Sequence, residues 1–317
     1  MSIRFITLSA AICVALALSG QERSSILLED WEFRNDHDTS AVSGWTSVRI
    51  PHDWAITGPF DRENDIQELP IYQNGETVPS VKTGRTGGLP YVGKGCYRTT
   101  IETGKEEADS TVRHILLFDG AMSEARVFVN GKETAFWPYG YNAFHCDITD
   151  AIMPGKNSLC VLLENRPQSS RWYPGAGLYR KVTLMSVPEV HIPVWGTCVT
   201  TPYAGRDYSC VSVSTEIEGL PEGSAVTLRT VIRDMEGREV AAATDTRRLG
   251  HTKAVEQQLT VENPKLWSPE TPYLYTAHTS VLTGGSIDTD WTGRHKITVT
   301  GGTAVQDSVV TRFGIRE

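Results

Sequence analysis

The chain has 317 residues, which is more than one ordinary domain holds, so its length favours two domains. The net charge of −8 and the pI near 5.6 argue against nucleic acid as a partner. Glycine is plentiful and long helical periodicity is missing, and this combination is typical of an all-β protein.

Residues 1–20 have the pattern of a signal peptide. Arg4 supplies the positive start, residues 5–18 form a short apolar run, and residues 17–20 include the small side chains of a cleavage region. The run is too short to span a membrane, so no membrane partner is expected. We expect cleavage near Gln21 and a secreted or periplasmic protein.

The cysteines do not form a recognisable framework. Removal of residues 1–20 leaves an odd number at wide spacings with no Cys-x-x-Cys pair, so neither a set of disulfides nor a zinc site is predicted. Most should be small buried side chains, although one disulfide stays possible in an oxidising compartment. No metal or other cofactor is expected. The five cysteines are Cys96, Cys146, Cys160, Cys198 and Cys210.

The first strand is predicted at residues 31–33, and the polar cluster 35–38 that follows fits a surface loop better than a metal site. A second strand over residues 45–50 ends at Pro51. The adjacent His52 and Asp53 invite comparison with a catalytic pair. Neighbouring residues on extended backbone point in opposite directions, so we expect one to anchor the loop and the other to cap it.

Residues 61–82 are polar and irregular and predict a long surface loop. The glycine-rich stretch 84–95 lacks the Gly-Lys-Ser/Thr ending of a phosphate loop, and a strand is predicted to follow at 96–101.

Residues 115–137 predict three strands of one antiparallel sheet, with residues 140–144 leading into a fourth. Asn130-Gly131 is a strong hairpin signal between the second and third strands. Val127 and Val129 should face the core, and Ser123 and Glu124 should face water.

Residues 157–165 are almost wholly apolar and predict a strand covered on both faces. The loop 166–180 then combines arginine, tryptophan and tyrosine with two glycines. Aromatic rings beside hydrogen-bond donors suit a sugar ring, which has an apolar face and a polar rim. The residues alone leave two readings equally open: a sugar-contacting loop, or a rigid loop packed on its own domain.

A domain boundary is predicted near Val187. About seven short strands follow, which fits an immunoglobulin-like sandwich.

Several motifs resemble glycoside hydrolase family 2, the family of β-galactosidases, β-glucuronidases and β-mannosidases. They run in order from about residue 26 to the end of the sequence. They are Ile-Pro-His-Asp-Trp at 50–54, Gly-x-Gly-Cys-Tyr-Arg at 93–98, Phe-Asp-Gly at 118–120, Val-Phe-Val-Asn-Gly at 127–131, Asp-Ile-Thr at 147–149, Ser-Arg-Trp-Tyr-x-Gly-x-Gly-Leu-Tyr-Arg at 170–180 and Asn-Pro-x-Leu-Trp-Ser-Pro-Glu at 263–270.

The resemblance implies an all-β fold: a jelly-roll, galactose-binding-like β-sandwich over 21–187 and an immunoglobulin-like β-sandwich over 188–311. Residues 312–317 would start the link to a catalytic (β/α)₈ barrel. In the family the loop at 166–180 leads towards the active-site mouth, so the candidate sugar-contacting residues are Asn165, Arg171, Trp172 and Tyr173. Trp267 is expected to plug the second core.

The family hydrolyses glycosides with two barrel glutamates, and a retaining enzyme holds these carboxyl groups about 5 Å apart. The family's acid/base lies in an Asn-Glu dipeptide, which this sequence does not contain, so no catalytic residue is assigned. We therefore expect the non-catalytic front of a secreted β-galactosidase-like hydrolase that is inactive without its barrel. The alternative is a free-standing carbohydrate-binding or interaction module. A galactoside is favoured only by motif frequency, and a homo-oligomer stays possible.

Overall fold

A computed structural model describes residues 23–36, 39–40, 43–57, 60–64, 72, 75, 77–78, 91, 93–104, 111–166, 175–290 and 296–316. These residues form antiparallel strands and two short 3₁₀ turns, with no α-helix among them. The all-β fold is therefore confirmed: a jelly-roll β-sandwich is followed by an immunoglobulin-like one.

The first sandwich contains two facing sheets. The four-stranded sheet has the order β1-β10-β5-β8, and the six-stranded sheet has the order β3-β2-β4-β9-β6-β7. The strands are β1 (Ser24–Leu27), β2 (Asp30–Arg34), β3 (Thr46–Arg49), β4 (Gly93–Thr103), β5 (Val112–Phe118), β6 (Ala125–Val129), β7 (Lys132–Trp137), β8 (Phe144–Asp147), β9 (Gly155–Asn165) and β10 (Val182–Pro188).

The second sandwich packs a sheet of order β11-β12-β15 against one of order β14-β13-β16-β19, and β17 and β18 form a separate ribbon. Its strands are β11 (Thr197–Ala204), β12 (Tyr208–Glu216), β13 (Ala225–Arg233), β14 (Glu239–Arg248), β15 (Ala254–Glu262), β16 (Tyr275–Thr283), β17 (Ser286–Asp290), β18 (Lys296–Thr300) and β19 (Ala304–Phe313).

The predicted single sheet over 115–137 is wrong. β5 belongs to the four-stranded sheet, whereas β6 and β7 belong to the six-stranded one, and residues 119–124 carry the chain between them. Both β5 and β6 bury one face against the same core, so alternation alone could not tell one sheet from the other. The Asn130-Gly131 hairpin is confirmed, with both residues at positive φ (50° and 79°).

Two smaller expectations also change. The outer face of β9 is only half covered, because Cys160 and Leu162 line an open cleft there. Trp267 lies half-buried against Gly314 and beside Arg316, outside the two buried core clusters of its sandwich. It therefore covers a glycine at the end of the last strand and is not a core plug.

The first sandwich has one continuous apolar core. Phe118 stacks on Phe144 with ring centroids 4.7 Å apart, and Phe33 stacks on Trp54 at 5.3 Å. Because strands alternate their side chains, β6 contributes Val127 and Val129 inward, as predicted.

An ion pair connects the two sandwiches. Arg23, just before β1, donates from Nε and Nη2 to the two carboxylate oxygens of Asp307 on β19, at 2.9 and 2.6 Å. The same carboxylate accepts from Ile192 N at 2.8 Å, and the Asp307 side chain is fully buried.

Candidate functional site

Three loops at one end of the first sandwich are bonded into a single platform, which we define as residues 51–55, 122–124 and 175–178. His52 N donates to Leu178 O at 2.8 Å, and Trp54 N donates to Ala176 O at 3.0 Å. On the other side, Met122 and Gly177 exchange two backbone bonds of 2.9 and 3.0 Å, and Ser123 O accepts from Glu164 N at 2.9 Å. The platform thus fixes the chain on both sides of residues 167–174.

Asp53 links two loops of the platform through its side chain. Its Oδ1 accepts from Ala55 N at 3.0 Å, as in a local turn, and from Ala176 N at 2.9 Å, across the loops. A carboxylate that accepts from backbone N–H groups in this way acts as a cap. This confirms the structural role predicted for Asp53.

His52 anchors the same loop. Its Nδ1 lies 2.7 Å from the hydroxyl of Tyr97, which is fully buried in the core on β4. Burial lowers the pKa of His52, and the nearby charge of Asp53 opposes that shift. The imidazole is therefore held mainly neutral as a structural partner of Tyr97, so the pair 52–53 is an anchor and a cap.

Two glycines allow the loops to approach this closely. Gly175 and Gly177 have φ values of +74° and +124°. A Cβ at Gly177 would lie 2.4 Å from His52 O and 2.5 Å from the Tyr97 hydroxyl, and one at Gly175 would lie 2.8 Å from Asp53 Oδ2. The Gly-x-Gly spacing is thus a packing requirement of the platform.

Asn165, one of the four predicted site residues, is at the end of β9 and is fully buried. Its Nδ2 donates to Gly175 O at 2.8 Å, while its Oδ1 has no hydrogen-bond partner among the described residues. The side chain braces residue 175 against residue 165, at the two ends of the loop. The structure therefore places Asn165 in the interior, bonded to the backbone of residue 175.

The other predicted site residues, Arg171, Trp172 and Tyr173, lie outside the described residues. Arg166, the last described residue before them, pairs with Glu124 of the platform at 2.7 Å.

Two tyrosines beside the platform were not among the predicted site residues. Tyr139 and Tyr141 are 57% and 40% exposed, and their ring centroids lie 5.5 Å apart. Between them, Gly140 O accepts from the Tyr179 hydroxyl at 2.6 Å, and a Cβ on Gly140 would collide with Met122. The Tyr-Gly-Tyr tripeptide was the available signal, because two aromatic residues around a glycine suit an exposed turn better than a strand.

A further cleft lies elsewhere in the described structure, on the outer face of the six-stranded sheet. It measures about 590 Å³ and includes Trp45, Arg98 and Glu32. The Arg98 guanidinium lies 3.9 Å from the Trp45 ring centre and donates to Glu32 at 2.6 Å. Arg98 and Glu32, the two charged side chains of the cleft, thus pair with each other.

Within the described residues, no group of three or more His, Cys, Asp or Glu side chains is arranged to hold a metal ion. No described helix is long and apolar enough to cross a membrane.

Both sandwiches match models of the same protein family. The family model described as "Glycosyl hydrolases family 2, sugar binding domain" matches residues 25–188. The model described as "Glycosyl hydrolases family 2" matches residues 199–292. The first match alone covers more than half of the chain. The chain belongs to glycoside hydrolase family 2.

Individual relatives agree with this assignment. A β-galactosidase of Bacteroides ovatus is 34% identical in an alignment of 284 residues that covers 85% of this chain and 31% of that protein. A putative β-glucuronidase of Formosa agariphila is 30% identical over 246 residues, which are 77% of this chain and 22% of that protein. A solved family 2 member from Bacteroides cellulosilyticus is 28% identical, with a TM-score of 0.74 over 93% of this chain and 35% of its own.

The chain therefore spans about a third or less of the length of these relatives. It corresponds to their non-catalytic N-terminal part, the sugar-binding domain and the immunoglobulin-like domain.

Proposed function

We propose that this chain is the front of an exported β-galactosidase-like enzyme, in which the platform holds residues 166–174 as one wall of the active site. The observation that carries the proposal is the fixation of this loop at both ends by Asn165, Asp53 and Gly177. A wall that positions a substrate must hold its contacts within a fraction of an ångström, so a braced loop fits this role.

In the proposed enzyme, the catalytic domain and this chain would have different roles. A catalytic domain with two carboxylic acids about 5 Å apart would break the glycosidic bond by a retaining mechanism. Arg171, Trp172 and Tyr173 would contact the sugar from the side, with stacking and hydrogen bonds. Asn165, being buried, would act as a positioning residue beneath them.

The choice of a galactoside is supported by the β-galactosidase of Bacteroides ovatus among the relatives, whereas the β-glucuronidase points to a glucuronide. Export is supported by the pattern of residues 1–20. The proposed domain limits are 21–187 and 188–311, followed by the link to the barrel.

The first test is enzymatic and binding-based. The isolated chain should show no turnover of nitrophenyl galactoside, glucuronide or mannoside, and calorimetry should detect at most millimolar binding of galactose or lactose, because one wall does not enclose a ligand. Trp172→Ala should remove this weak binding, and Trp195→Ala, at a 62% exposed tryptophan, is the matched control. Turnover by the pure chain would contradict the proposal that the catalytic groups lie in another domain. Tight binding that depends on Trp172 would instead favour the free-standing carbohydrate-binding module.

The second test is genetic. The coding sequence downstream of codon 317 should encode a (β/α)₈ barrel with an Asn-Glu dipeptide at the end of a strand. Unrelated genes directly after a stop codon would contradict the proposal.

A further inference from the structure

Two cysteines of the first sandwich lie in contact. The sulfur atoms of Cys96 on β4 and Cys160 on β9 are 3.4 Å apart. The two strands are neighbours, and Cys96 is paired with Leu162 while Cys160 is paired with Arg98. The cysteines are thus diagonal partners on the same, outer face of the sheet, where side chains two positions apart can reach each other.

This contact distinguishes the pair from the other cysteines. Cys146 is on β8 in the opposite sheet, and Cys198 and Cys210 belong to the second sandwich. Among the described cysteines, no other two sulfur atoms are in hydrogen-bond contact.

The two thiols differ in access. Cys96 is fully buried, whereas Cys160 is half-buried and lines the 590 Å³ cleft of the outer face. A small reagent can therefore reach Cys160 from the cleft but not Cys96.

The two thiols also differ in acidity. The hydrogen bond with Cys96 lowers the pKa of Cys160, and the positive charge of Arg98 adds to the effect, whereas burial opposes it. The same hydrogen bond, together with burial, raises the pKa of Cys96. Since the thiolate is the nucleophile in disulfide exchange, Cys160 is also the thiol that is prepared to react first.

We propose that Cys96 and Cys160 form an intramolecular disulfide by exchange with a small-molecule disulfide such as oxidised glutathione. In the first step the Cys160 thiolate attacks one sulfur of the oxidant, forms a mixed disulfide and releases one glutathione thiolate, which takes up a proton. Cys96 then loses its proton and attacks the Cys160 sulfur, which releases the second glutathione. Two protein thiols are oxidised and one glutathione disulfide is reduced to two thiols.

Closing the bond requires the two sulfur atoms to approach each other. They lie 3.4 Å apart and a disulfide is about 2.05 Å long, so the gap to close is about 1.3 Å. The bond would join residues 64 positions apart, and cross-links over such long segments restrict the unfolded chain strongly.

The decisive experiment uses the unmodified chain. It is reduced, freed of reductant, incubated with oxidised glutathione without denaturant, alkylated and digested with trypsin without reduction. The expected product joins the peptide 95–98 to the peptide 157–171, with a mass two hydrogens below the sum of the two. A stable mixed disulfide at Cys160, full alkylation of both thiols, or a dominant link to Cys146, Cys198 or Cys210 would each overturn the proposal.

Thermal unfolding gives a second measurement. Oxidation should raise Tm of the chain by about 5–10 °C, and this shift should vanish in Cys160→Ser and in Cys96→Ser. Cys198→Ser is the matched control, because Cys198 is exposed and lies in the other sandwich, so it should keep the full shift. An oxidant-dependent shift that survives in Cys160→Ser would contradict the assignment.

Discussion

The two sandwiches bury their sheets in different ways. The first has one continuous core rich in aromatic residues, such as Trp54, Tyr97 and Phe118. The second has two smaller clusters that are mainly aliphatic, one around Leu228 and one around Ile232, which also includes Tyr275.

The second sandwich contains a group of buried polar side chains that bond to one another, which we call the polar layer. Its buried members are Thr230, Gln257 and Thr279. The Thr230 hydroxyl donates to Gln257 Oε1 at 2.7 Å and lies 3.2 Å from the Thr279 hydroxyl. Gln257 Nε2 in turn donates to Leu228 O at 3.1 Å and to Asp245 at 3.0 Å. Every member of this layer is bonded, and directional bonds of this kind favour one register of the strands over its neighbours.

The two cores differ in what they support. The loop platform of the first is held from below by the Tyr97 hydroxyl and by the close approach of Trp54 to Gly95, so its aromatic core reaches directly into the site. The described part of the second sandwich carries no such platform, and its polar layer bonds the strands of its own sheets to one another.

The largest loss of stability should come from removing a buried side chain of the continuous core in the first sandwich. Phe118→Ala removes a fully buried ring that stacks on Phe144, and it should destabilise the first sandwich by about 3–5 kcal/mol. Urea unfolding, followed region by region with hydrogen exchange, measures the loss. Phe136→Ala, at a 47% exposed ring, is the control and should cost under about 1 kcal/mol. Equal losses in both variants would refute the description of the core.

In the polar layer, removing one hydroxyl should destabilise the second sandwich more than removing that hydroxyl together with its hydroxyl partner. Thr230→Val leaves Gln257 Oε1 without its donor and should cost about 1–3 kcal/mol in the second sandwich. Adding Thr279→Val should recover part of this loss, because the Thr279 hydroxyl that Thr230→Val leaves unpaired is then removed as well. Denaturant titration of the unmodified chain and the two variants tests the order, and a double variant less stable than Thr230→Val would disprove it.

The platform cap should have a local effect. Asp53→Ala removes the acceptor for Ala55 N and Ala176 N and should cost about 1–2 kcal/mol, with faster amide exchange at residues 175–178. Asp61→Ala is a close control, since Asp61 accepts from Glu63 N two residues ahead but bridges no second loop in the described structure. Unchanged exchange at residue 176 would rule out the capping role.

The smallest effect concerns pH. The folded-state pKa of His52 lies below 6.5. The stabilisation that the neutral His52 gives to the folded state is therefore complete above pH 6.5, and it is lost as the pH falls towards the folded-state pKa. The stability of the first sandwich should therefore decrease on acidification, and His52→Gln should flatten this dependence. His251→Gln, at a 96% exposed side chain, should leave the profile unchanged. A stability that rises on acidification would contradict the sign.

Local features were predictable from the sequence where the backbone itself demands a residue type. Asn130-Gly131 specified its hairpin because both positions need positive φ, and the motif at 50–54 indicated the anchor and cap. The sheet to which β5 belongs was not predictable, since alternation is the same on either side of a sandwich. Contacts between distant residues, such as Cys96 with Cys160 or Asn165 with Gly175, leave no trace in spacing.

The ion pair between Arg23 and Asp307 sets a limit on how the protein can mature. If a leader peptidase cuts near Gln21, as the sequence predicts, Arg23 stays two residues from the new amino terminus and the two sandwiches stay connected. Trimming by only three further residues would remove Arg23 and leave the buried Asp307 carboxylate without its counter-charge. A ragged amino terminus would therefore loosen the distant junction at β19, even though every strand of both sandwiches would still be present.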